Sequence, residues 1–597
     1  MRRLLFLAVL LAPLPARADQ HCFTVNGSTT CFDTSGLVSS ISSMLSIPSV
    51  SALKGIPLTL PALPVCVTVT GQGTEGDGGG ASFCWSPAAT AADNGGTIIK
   101  PTYTGAPTNG RWLMNFSGPM NIRWFGATPD DATDDTVAIR KAIAALPASG
   151  GSVYVPPGTF LVNAEASEAL LLRSGVHLSG AGPASIIKFV DEPTPGAYDG
   201  HSMLHAVPSS AQGIEIHDLQ LDGDRLHYSG GQVQNHAALL EGCHDCRVTR
   251  VTIHDFRGDG VYLFKGTGAD RSRHCVLSDN VIYDMARASV NLDGASDVVV
   301  SSNTFYVSDA AIAEGPSAPS GVAIKMEQDD PGQDVSGIVI AGNVWSSGMA
   351  AGIGLSGGGT ARIRDVSITG NTFNLRTDSP NPGQCLNLFK VEHVTISGNA
   401  CNGGMGGGFQ IFGGPADYVT ISGNTLRGQV GGATTAAISV GGGNYDQVRV
   451  LNISGNIIKN VTRGVSISRM IDSDTVAHFV NITGNTFVDC THGIVLAESQ
   501  DVTISANTFT STVASSYAIK FDDANNGSIH TSRVSISNNN LSGTLVGGIL
   551  QSQFSQIVDF SLTGNDFRSP VGGWLKVNNL GPAVTGTVVI ANNAGYP

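Results

Sequence analysis

The octapeptides VSITGNTF (366–373), VTISGNTL (419–426) and VNITGNTF (480–487) are copies of one motif that recurs along the chain. Shorter or looser copies include LNISGNII (451–458) and FSLTGNDF (560–567). The Asn of successive copies stands at positions 371, 399, 424, 456, 485 and 507, at intervals of 28, 25, 32, 29 and 22 residues. Self-similarity at such a period predicts a solenoid in which each copy belongs to one coil.

A second short apolar segment lies between the copies of this motif. Its members alternate apolar and variable residues, which predicts strands with one buried face. The β-branched composition of the strands and the lack of a helical half exclude leucine-rich repeats. These second strands are Gly260–Phe264, Ser289–Asp293, Gly321–Lys325, Gly464–Ser468 and Gly493–Ala497.

The repeated Asn and the Phe that often follows it are predicted to be structural. Asn tolerates left-handed backbone, and its amide can bond to identical amides above and below in a stack. The Phe is expected to stack with its equivalents inside the solenoid. Neither row is therefore a candidate site.

The composition agrees with an elongated solenoid. The chain has 597 residues, of which 75 are Gly, 13% are charged and 6% are aromatic. That is too rich in Gly and too poor in charge for a helical protein. The formal net charge is −14, and it becomes −17 without the arginines of the first 18 residues, so nucleic acid is an unfavourable partner.

Residues 1–18 have the pattern of a signal peptide. Arg2 and Arg3 precede the apolar run Leu4–Leu14, and Ala16–Ala18 resembles a cleavage site. No other stretch is predicted to span a membrane. A secreted or periplasmic location is therefore expected.

Residues 19–118 differ from the repeats and are predicted to form a small disulfide-containing β module. Export permits disulfides. Cys22 and Cys31 flank an Asn-Gly turn, and Cys66 and Cys84 bracket a Gly-rich turn. Both pairs are expected to be bonded.

The segment 121–162 predicts a helix that covers the open end of the solenoid. Asp134 and Asp135 are N-cap residue types, so we interpret them as caps rather than metal ligands. Ile139, Ala142 and Ile143 form one apolar face at helical spacing.

The same segment resembles the opening of pectate-lyase-like right-handed β-helix proteins. The matching residues are Phe125–Ala127, Asp134–Thr136, Ala138–Ile139, Ala142–Ile143 and Val155–Phe160. Residues 65–113 look like a module that precedes this segment in many depolymerases. The resemblance implies an all-β, single-stranded right-handed parallel β-helix over 119–597, and a polysaccharide substrate. The family includes lyases, hydrolases, epimerases and tailspike depolymerases, and it includes monomers and homotrimers.

Three early coils carry polar side chains at matched outward positions, unlike the bland later coils. The nearest equivalent of the Asp-Pro-His motif of alginate epimerases is Asp330–Gly332, which has no His. Carboxylates and aromatic rings on one ladder are typical of sugar sites. The candidate catalytic residues are Asp293, Glu327, Asp259 and Lys325; the candidate substrate-binding residues are Tyr262, Phe264, Asn291, Arg287, His236, Asp222 and Asp224.

Two reactions fit this set equally well. An offset of one coil and about two residues between Asp293 and Glu327 predicts a separation of roughly 8 Å, which suits inverting hydrolysis. A lyase would use Lys325 or Arg287 to stabilise the sugar carboxylate, and Asp293 and Glu327 to hold calcium. No cofactor is required otherwise.

The remaining cysteines are interpreted as structural. Cys246 aligns with Cys275 one coil later, so a disulfide or buried thiols are favoured over zinc at Cys243–Cys246. Cys385 and Cys401 occupy inward positions and are a candidate pair, whereas Cys490 has no evident partner.

The sequence therefore predicts an exported polysaccharide-degrading enzyme, a hydrolase or a lyase, with its groove over residues 222–330. One alternative is epimerisation of a polymer without cleavage. The other is a non-enzymatic β-helix that binds glycan as a surface adhesin.

Overall fold

The structure is a computed structural model, and it describes most of the chain from residue 46 onward. The signal-peptide prediction for 1–18 lies outside the described residues. The described backbone comprises residues 20–25, 28–33, 46–56, 66–163, 168–190, 201–227, 235–266, 271–312, 322–327, 334–346, 351–356, 363–375, 383–403, 407–412, 417–428, 436–441, 449–470, 479–522, 531–543, 547–551, 557–568, 575–577 and 585–594.

The chain forms two compact units, one of residues 1–118 with 123–126 and one of 119–122 with 127–597. The first unit holds an antiparallel pair, Gln20–Val25 with Ser28–Asp33, whose register sets Cys22 opposite Cys31. It also holds helix α1 (Val50–Lys54) and a five-stranded sheet. The strands of that sheet are Ser46–Ile47, Cys66–Val69, Ala81–Ser86, Ile98–Ile99 and Arg111–Met114.

The predicted bond between Cys66 and Cys84 is confirmed. Cys66 and Cys84 are register partners on neighbouring antiparallel strands. Phe83 and Trp112 are fully buried beside them and form the centre of the module's core.

The second unit is a right-handed parallel β-helix, as the repeats predict. Each coil passes through three strands, which stack on equivalent strands of the next coil into three faces. We call these the first, second and third face in chain order. Every recorded pairing between strands of these faces is parallel, for example Val366–Thr369 with Val394–Ser397.

The first face carries the apolar half of the repeated motif. Its strands are Met120–Asn121, Gly151–Val155, Val176–Gly180, Glu215–His217, Arg247–Thr249, Val276–Ser278, Ser296–Ser301, Val335–Ala341, Ile363–Thr369, Val391–Ser397, Asp417–Ser422, Val450–Ser454, Phe479–Thr483, the second part of His492–Ser505, Thr531–Ser537, Ile557–Thr563 and Thr585–Ala591.

The second face is a continuous sheet of 14 strands that follows the repeated Asn. Its strands are Gly158–Val162, Ser185–Phe189, Gln220–Asp222, Thr252–His254, Val281–Tyr283, Thr304–Tyr306, Val344–Ser346, Thr372–Leu375, Ala400–Gly403, Thr425–Arg427, Ile457–Lys459, Thr486–Val488, Thr508–Ser511 and Asn540–Gly543.

The third face carries the candidate residues of the early coils. Its strands are Glu168–Leu172, His201–Ala206, Asn235–Glu241, Val261–Phe264, Ala288–Asp293, Val322–Glu327, Ala351–Ser356, Gln384–Phe389, Gly407–Phe412, Ile438–Val440, Arg463–Met470, the first part of His492–Ser505, Tyr517–Asp522, Gly547–Gln551 and Leu575–Val577.

The repeated Asn forms a buried ladder between the first and second faces. In each step one side-chain amide donates to the side-chain oxygen of the next, as from Asn371 Nδ2 to Asn399 Oδ1 at 2.9 Å. The same Nδ2 donates to the carbonyl of Ile340 at 3.0 Å. The corners are thereby satisfied without water, and the structural interpretation is confirmed.

The aromatic side chains that follow the Asn stack inside the helix. Trp345 and Phe373 lie 4.4 Å apart with planes 8° apart, and Phe487 and Phe509 lie 4.8 Å apart with planes 5° apart. All four are almost fully buried. Stacking of equivalent rings fills the core at each coil.

The predicted helix is α2 (Thr136–Ala144), and it buries Ile139, Ala142 and Ile143. Asp135 is its N-cap residue but makes no side-chain capping hydrogen bond, so that part of the prediction is wrong. The neighbouring Asp134 Oδ1 accepts from the amide of Thr136 at 2.9 Å. Arg140 donates to the carbonyl of Ala169 at 2.7 Å on the first strand of the third face. Short helices Arg225–His227 and α3 (Asp309–Ile312) lie in connections, and Ile122–Phe125 is a 3₁₀ turn.

Candidate functional site

The register of the third face confirms the alignment of the early coils. Tyr262 lies opposite Asn291, and Asn291 lies opposite Lys325. Asp293 lies directly opposite Glu327, so the predicted two-residue offset between them is wrong. Their backbones are thus one strand spacing apart, about 4.8 Å, and the separation of roughly 8 Å no longer has a basis. The side chain of Glu327 lies outside the described residues.

Asp259 is the centre of a buried polar cluster at the start of this ladder. Its side chain is 0% exposed. Its Oδ1 accepts from the amide of Ala288 at 2.9 Å, and its Oδ2 lies 3.4 Å from both Asn291 Nδ2 and an Arg287 guanidinium nitrogen. The Asp259 carboxylate therefore links its own coil to the backbone and side chains of the following coil.

The ionised form of Asp259 is favoured despite its burial. Burial by itself raises the pKa of this carboxyl, but the His236 ring, the Arg287 charge and the Ala288 amide together lower the pKa below its ordinary value. A buried carboxylate that stays charged holds its cationic and amide neighbours in place. Asp259 thus contacts the predicted site residues His236, Arg287 and Asn291.

His236 is buried against the same carboxylate. The amide of Asp259 donates to His236 Nδ1 at 3.0 Å, so the neutral imidazole carries its proton on Nε2. His236 Nδ1 also lies 3.4 Å from Asp259 Oδ2. The ring also packs 5.1 Å from that of Tyr262. A Cβ at Gly258 would come within 2.9 Å of His236 Nδ1, so a glycine is needed there.

Tyr262 and Asp293 form a second polar contact beside this cluster. The Tyr262 hydroxyl donates to Asp293 Oδ2 over 3.4 Å, and the ring of Phe264 lies 5.2 Å from that of Tyr262. Tyr262 is 9% exposed and Asp293 is 1% exposed. The prediction that these side chains are open to solvent is wrong. They alternate with core residues along their strands, but they are themselves buried. Asn291 is buried in the same way.

Lys325 and Arg287 bring two cations to the site. Lys325 is half-buried on the coil after Asn291, and the side chain of Arg287 is 29% exposed. The arrangement thus combines a hydroxyl–carboxylate pair with two cations and a buried amide. Such a set can bind an anionic group and move a proton beside it.

Asp222 and Asp224 do not join this cluster, contrary to prediction. Asp222 ends a strand of the second face, where it groups with His254 and Asp255. His254 Nδ1 lies 2.8 Å from Asp255 Oδ2 and 3.8 Å from Asp222 Oδ1. Asp224 lies 3.5 Å from Lys188 Nζ. The prediction for Asp222 and Asp224 was wrong because the turn that follows this second-face strand was assigned to the groove of the third face.

This second group is the one set of His, Cys, Asp and Glu within the described residues that could hold a metal ion. Calcium prefers shells built of oxygen, so a set that includes the imidazole of His254 fits calcium poorly. Burial raises the pKa of Asp222, and the neighbouring carboxylates Asp224 and Asp255 raise it further.

The sequence interpretation missed a third cluster on the same face as Asp259. His205 lies between two carboxylates, with Nδ1 3.2 Å from Glu168 and Nε2 3.3 Å from Glu241. Glu241 lies opposite Phe264 in the register. The available signal was the outward position of Glu241, which aligns with Phe264 on the following coil.

Three expectations about the inner cysteines can be judged. Cys243 is bonded to Cys246, and Cys275, which the sequence aligned with Cys246, is a free buried thiol. This agrees with the expectation of a disulfide or buried thiols at these positions. The two half-cystines are close in sequence and turn into the core at one corner. Cys385 and Cys401 are bonded, which confirms that candidate pair, and Cys490 is free and buried.

No helix in the described part of the chain is long and apolar enough to cross a membrane.

Family profiles match three parts of the chain. Residues 119–312 match "Rhamnogalacturonase A/epimerase, pectate lyase-like". Residues 270–470 and 351–567 match "Right handed beta helix region". Residues 46–117 match "Phage tail protein small four-stranded beta-sheet domain", which agrees with the separate sheet of the first unit.

Similar proteins share only part of their length with this chain. Mannuronan C5-epimerase AlgE4 of Azotobacter vinelandii is 30% identical over 203 residues, which are 32% of this chain and 34% of that protein. Alginate lyase 7 of the same organism is 30% identical over 200 residues, 31% of this chain and 22% of that protein. The chain thus spans about a third or less of these relatives.

One solved structure supports the fold. The N-terminal fragment of bacteriophage phi29 gene product 12 has a TM-score of 0.51 at 16% identity, covering 75% of this chain and 84% of that chain. At this identity the likeness concerns the fold alone. Together with the profiles and the three stacked faces, it confirms the predicted resemblance: the second unit is a right-handed parallel β-helix of the pectate-lyase-like type.

Proposed function

We propose that the protein is an exported enzyme that acts on uronic-acid polysaccharide by removing the proton next to the sugar carboxylate. The observation that carries this proposal is the pairing of Tyr262 with Asp293 beside the Asp259-centred cluster. Curated relatives named mannuronan C5-epimerases and an alginate lyase support the substrate class.

The proposed chemistry needs a group that neutralises the sugar carboxylate. Lys325 and Arg287 are cations of the early coils near this cluster, and Asn291 supplies an amide. The buried carboxylate of Asp259 contacts the side chains of Arg287 and Asn291 and orients both before substrate binds. Cations aimed at the carboxylate stabilise the charge that develops when the neighbouring C–H bond breaks.

Proton movement is assigned to Tyr262 and Asp293. The Tyr262 hydroxyl passes its proton to Asp293, and the phenolate oxygen takes the proton from the sugar carbon next to the carboxylate. The carbanion then expels the neighbouring glycosidic oxygen, which takes a proton from the Tyr262 hydroxyl, and Asp293 returns its proton to Tyr262. Alternatively, the carbanion takes a proton from solvent water on the opposite side, and the proton held by Asp293 neutralises the hydroxide that remains. The first route is lysis and the second is epimerisation.

Hydrolysis remains the second candidate because Asp293 and Glu327 occupy matched positions on adjacent strands. Their backbones lie one strand spacing apart, which is closer than the inverting prediction required. Calcium would matter only in the lyase reaction, with Asp293 as a candidate oxygen ligand. A trimer or a monomer is compatible with either reaction.

The test is incubation of the mature protein in D₂O with uronic-acid and neutral polysaccharides, followed by mass spectrometry. Fragments that contain an unsaturated end, or unshortened chains that gain deuterium next to the carboxylate, are expected. Fragments that gain only the elements of water would replace the proposal by hydrolysis. Polymers that are bound but not altered would favour the adhesin alternative.

Tyr262→Phe is the variant that tests the proton route. We expect turnover to fall at least about 100-fold, because proton transfer by a positioned side chain contributes that much. Tyr418→Phe is the matched control, since Tyr418 is 53% exposed on the first face. Wild-type turnover in Tyr262→Phe would remove Tyr262 from the mechanism.

A further inference from the structure

A line of outward side chains runs along the second face, away from the cluster on the third face. Parallel pairing puts one residue per coil in this line, which we call the outer column. We restrict the name to the third to eleventh strands of that face, where its members in coil order are Asp222, His254, Tyr283, Tyr306, Ser346, Asn374, Asn402, Arg427 and Lys459. Beyond Lys459 the register continues with Val488 and Thr510.

The early part of the outer column is a stack of aromatic rings. The His254 and Tyr283 rings lie 4.8 Å apart with planes 8° apart, and the Tyr283 and Tyr306 rings lie 4.7 Å apart with planes 7° apart. The stack ends at Tyr306, because the next member is Ser346, whose side chain is too short to cover a ring. Among the described residues, no other ring packs on the far face of Tyr306.

That ring face suits a sugar. The C–H face of a pyranose packs on the electron-rich face of an aromatic ring. Burial raises the pKa of the Tyr306 hydroxyl, and the Asp284 carboxylate raises it further. The hydroxyl therefore stays protonated near neutral pH and can donate a hydrogen bond to a ligand.

The later part of the outer column ends in two cations. Arg427 lies directly opposite Lys459 in the register. Within the described part of the chain, neither side chain forms an ion pair or hydrogen bond. Like charges on directly opposed positions repel each other, so an anion between them would relieve the repulsion.

Short polar side chains separate the ring from the cations. Ser346, Asn374 and Asn402 offer hydroxyl and amide groups, and Asn402 Nδ2 donates to Asn374 Oδ1 at 3.2 Å. Four strand spacings separate Tyr306 from Arg427, which is about 19 Å. That length accommodates an oligosaccharide rather than one sugar.

We propose that the outer column from Tyr306 to Lys459 is a second glycan-binding site, and that its ligand is an anionic polysaccharide. One sugar ring packs on Tyr306, the chain crosses the amides, and a carboxylate binds Arg427 and Lys459. The site does not depend on the chemistry proposed for the third face. It would hold a polymer on the enzyme while another stretch occupies the reactive cluster.

The test uses the full mature chain and two fluorescent probes, a hexamer of uronic acid and a hexamer of glucose. Affinity and stoichiometry are measured by titration in a Tyr262→Phe background, which keeps the probe intact. We expect two sites for the uronic-acid hexamer. Replacing Arg427 and Lys459 by Ala is expected to weaken the second site at least about tenfold and to reduce its salt dependence.

Tyr306→Ala is expected to weaken the same site, and Thr510→Ala, a later outward residue of the second face, is the matched control. The outer-column variants should leave product formation from short substrates unchanged. If the wild-type protein forms no product but the uronic-acid hexamer still binds at the second site, the proposed reaction is wrong and the second site still stands. A single binding site in the background protein, or unchanged affinity in the Arg427 and Lys459 double variant, would overturn the second site. Equal binding of the glucose hexamer would overturn the anionic ligand.

Discussion

At the scale of single residues, most of the described buried carboxylates on the strands and turns of the β-helix lie in its early coils. Asp259, Asp284 and Asp293 are buried there, and Asp417 is buried in a later coil. Asp259 is fully buried, yet the His236 ring, the Arg287 charge and the Ala288 amide lower its pKa and favour the ionised form. Loss of one partner from a buried charged pair leaves the other uncompensated, which costs more than the pair contributes. Such positions therefore respond to substitution and to pH in a defined direction.

Asp259→Asn is expected to lower the free energy of unfolding by about 3 kcal/mol at neutral pH, because the guanidinium of Arg287 loses its anion. The folded pKa of Asp259 is below its unfolded value, so its contribution is complete above pH ~4 and declines as pH falls toward the folded pKa. Urea unfolding at pH 7 and pH 3 measures this. Asp297→Asn, at a position exposed to solvent, is the control; an equal loss for Asp259→Asn at both pH values would contradict the assignment.

His492 is expected to destabilise the protein in mild acid. Burial, and then the charges of Lys520 and Arg463, lower the pKa of His492 to about 4. The unfolded chain therefore binds the proton first, and stability is lost as pH falls from about 6.5 toward 4. His492→Gln should flatten the thermal midpoint over this range. His393→Gln, whose side chain is 49% exposed, is the control, and an unchanged pH profile in His492→Gln would refute the shift.

At the scale of elements, the Asn ladder joins each coil to the next. Asn424 is a typical member: its Nδ2 donates to the Ile396 carbonyl and to Asn456 Oδ1, both at 2.9 Å. Its Oδ1 accepts from the amide and Nδ2 of Asn399. Asn424 is fully buried, so water cannot replace these partners. The hydrogen bonds of the ladder therefore contribute to the stability of the β-helix.

Asn424→Ala is expected to destabilise the β-helix by about 2–4 kcal/mol, because it leaves buried donors on Asn399 without an acceptor. Denaturant unfolding followed by circular dichroism measures the change. Asn481→Ala is the matched control, since Asn481 lies on the outer side of the first face and is exposed. A cost below that of the control would show that the ladder contributes little.

At the scale of the whole molecule, the described contacts of the candidate cluster lie within the second unit. A chain that begins at Pro119 is therefore expected to fold and to form the same products as the mature protein. A chain that begins at Gly150 lacks α2 and exposes the first coil, so it should aggregate or unfold at lower temperature. Product analysis and thermal unfolding of both chains test this. Inactivity of a folded 119–597 chain would show that the first unit is needed for activity.

The candidate site was predictable in composition but only partly in geometry. Alternation within the strands identified Tyr262, Asn291 and Lys325 as one ladder, because parallel strands stack equivalent residues. It did not reveal that Asp293 is covered, nor that Asp222 belongs to another face. Both depend on how connections of unequal length turn between faces, and no local pattern encodes that.

The sequence by itself determined the β-helix, the Asn ladder, the internal ring stacks and the capping helix, because each arises from a pattern repeated or contained within one coil. Only the tertiary structure decided which side chains meet. Asp259 and Asn291 are 32 residues apart, and Tyr262 and Asp293 are 31 apart. These contacts follow from the register between strands and from the packing of whole coils. The same is true of the bond between Cys243 and Cys246, and of the two cations of the outer column that have no partner among the described residues.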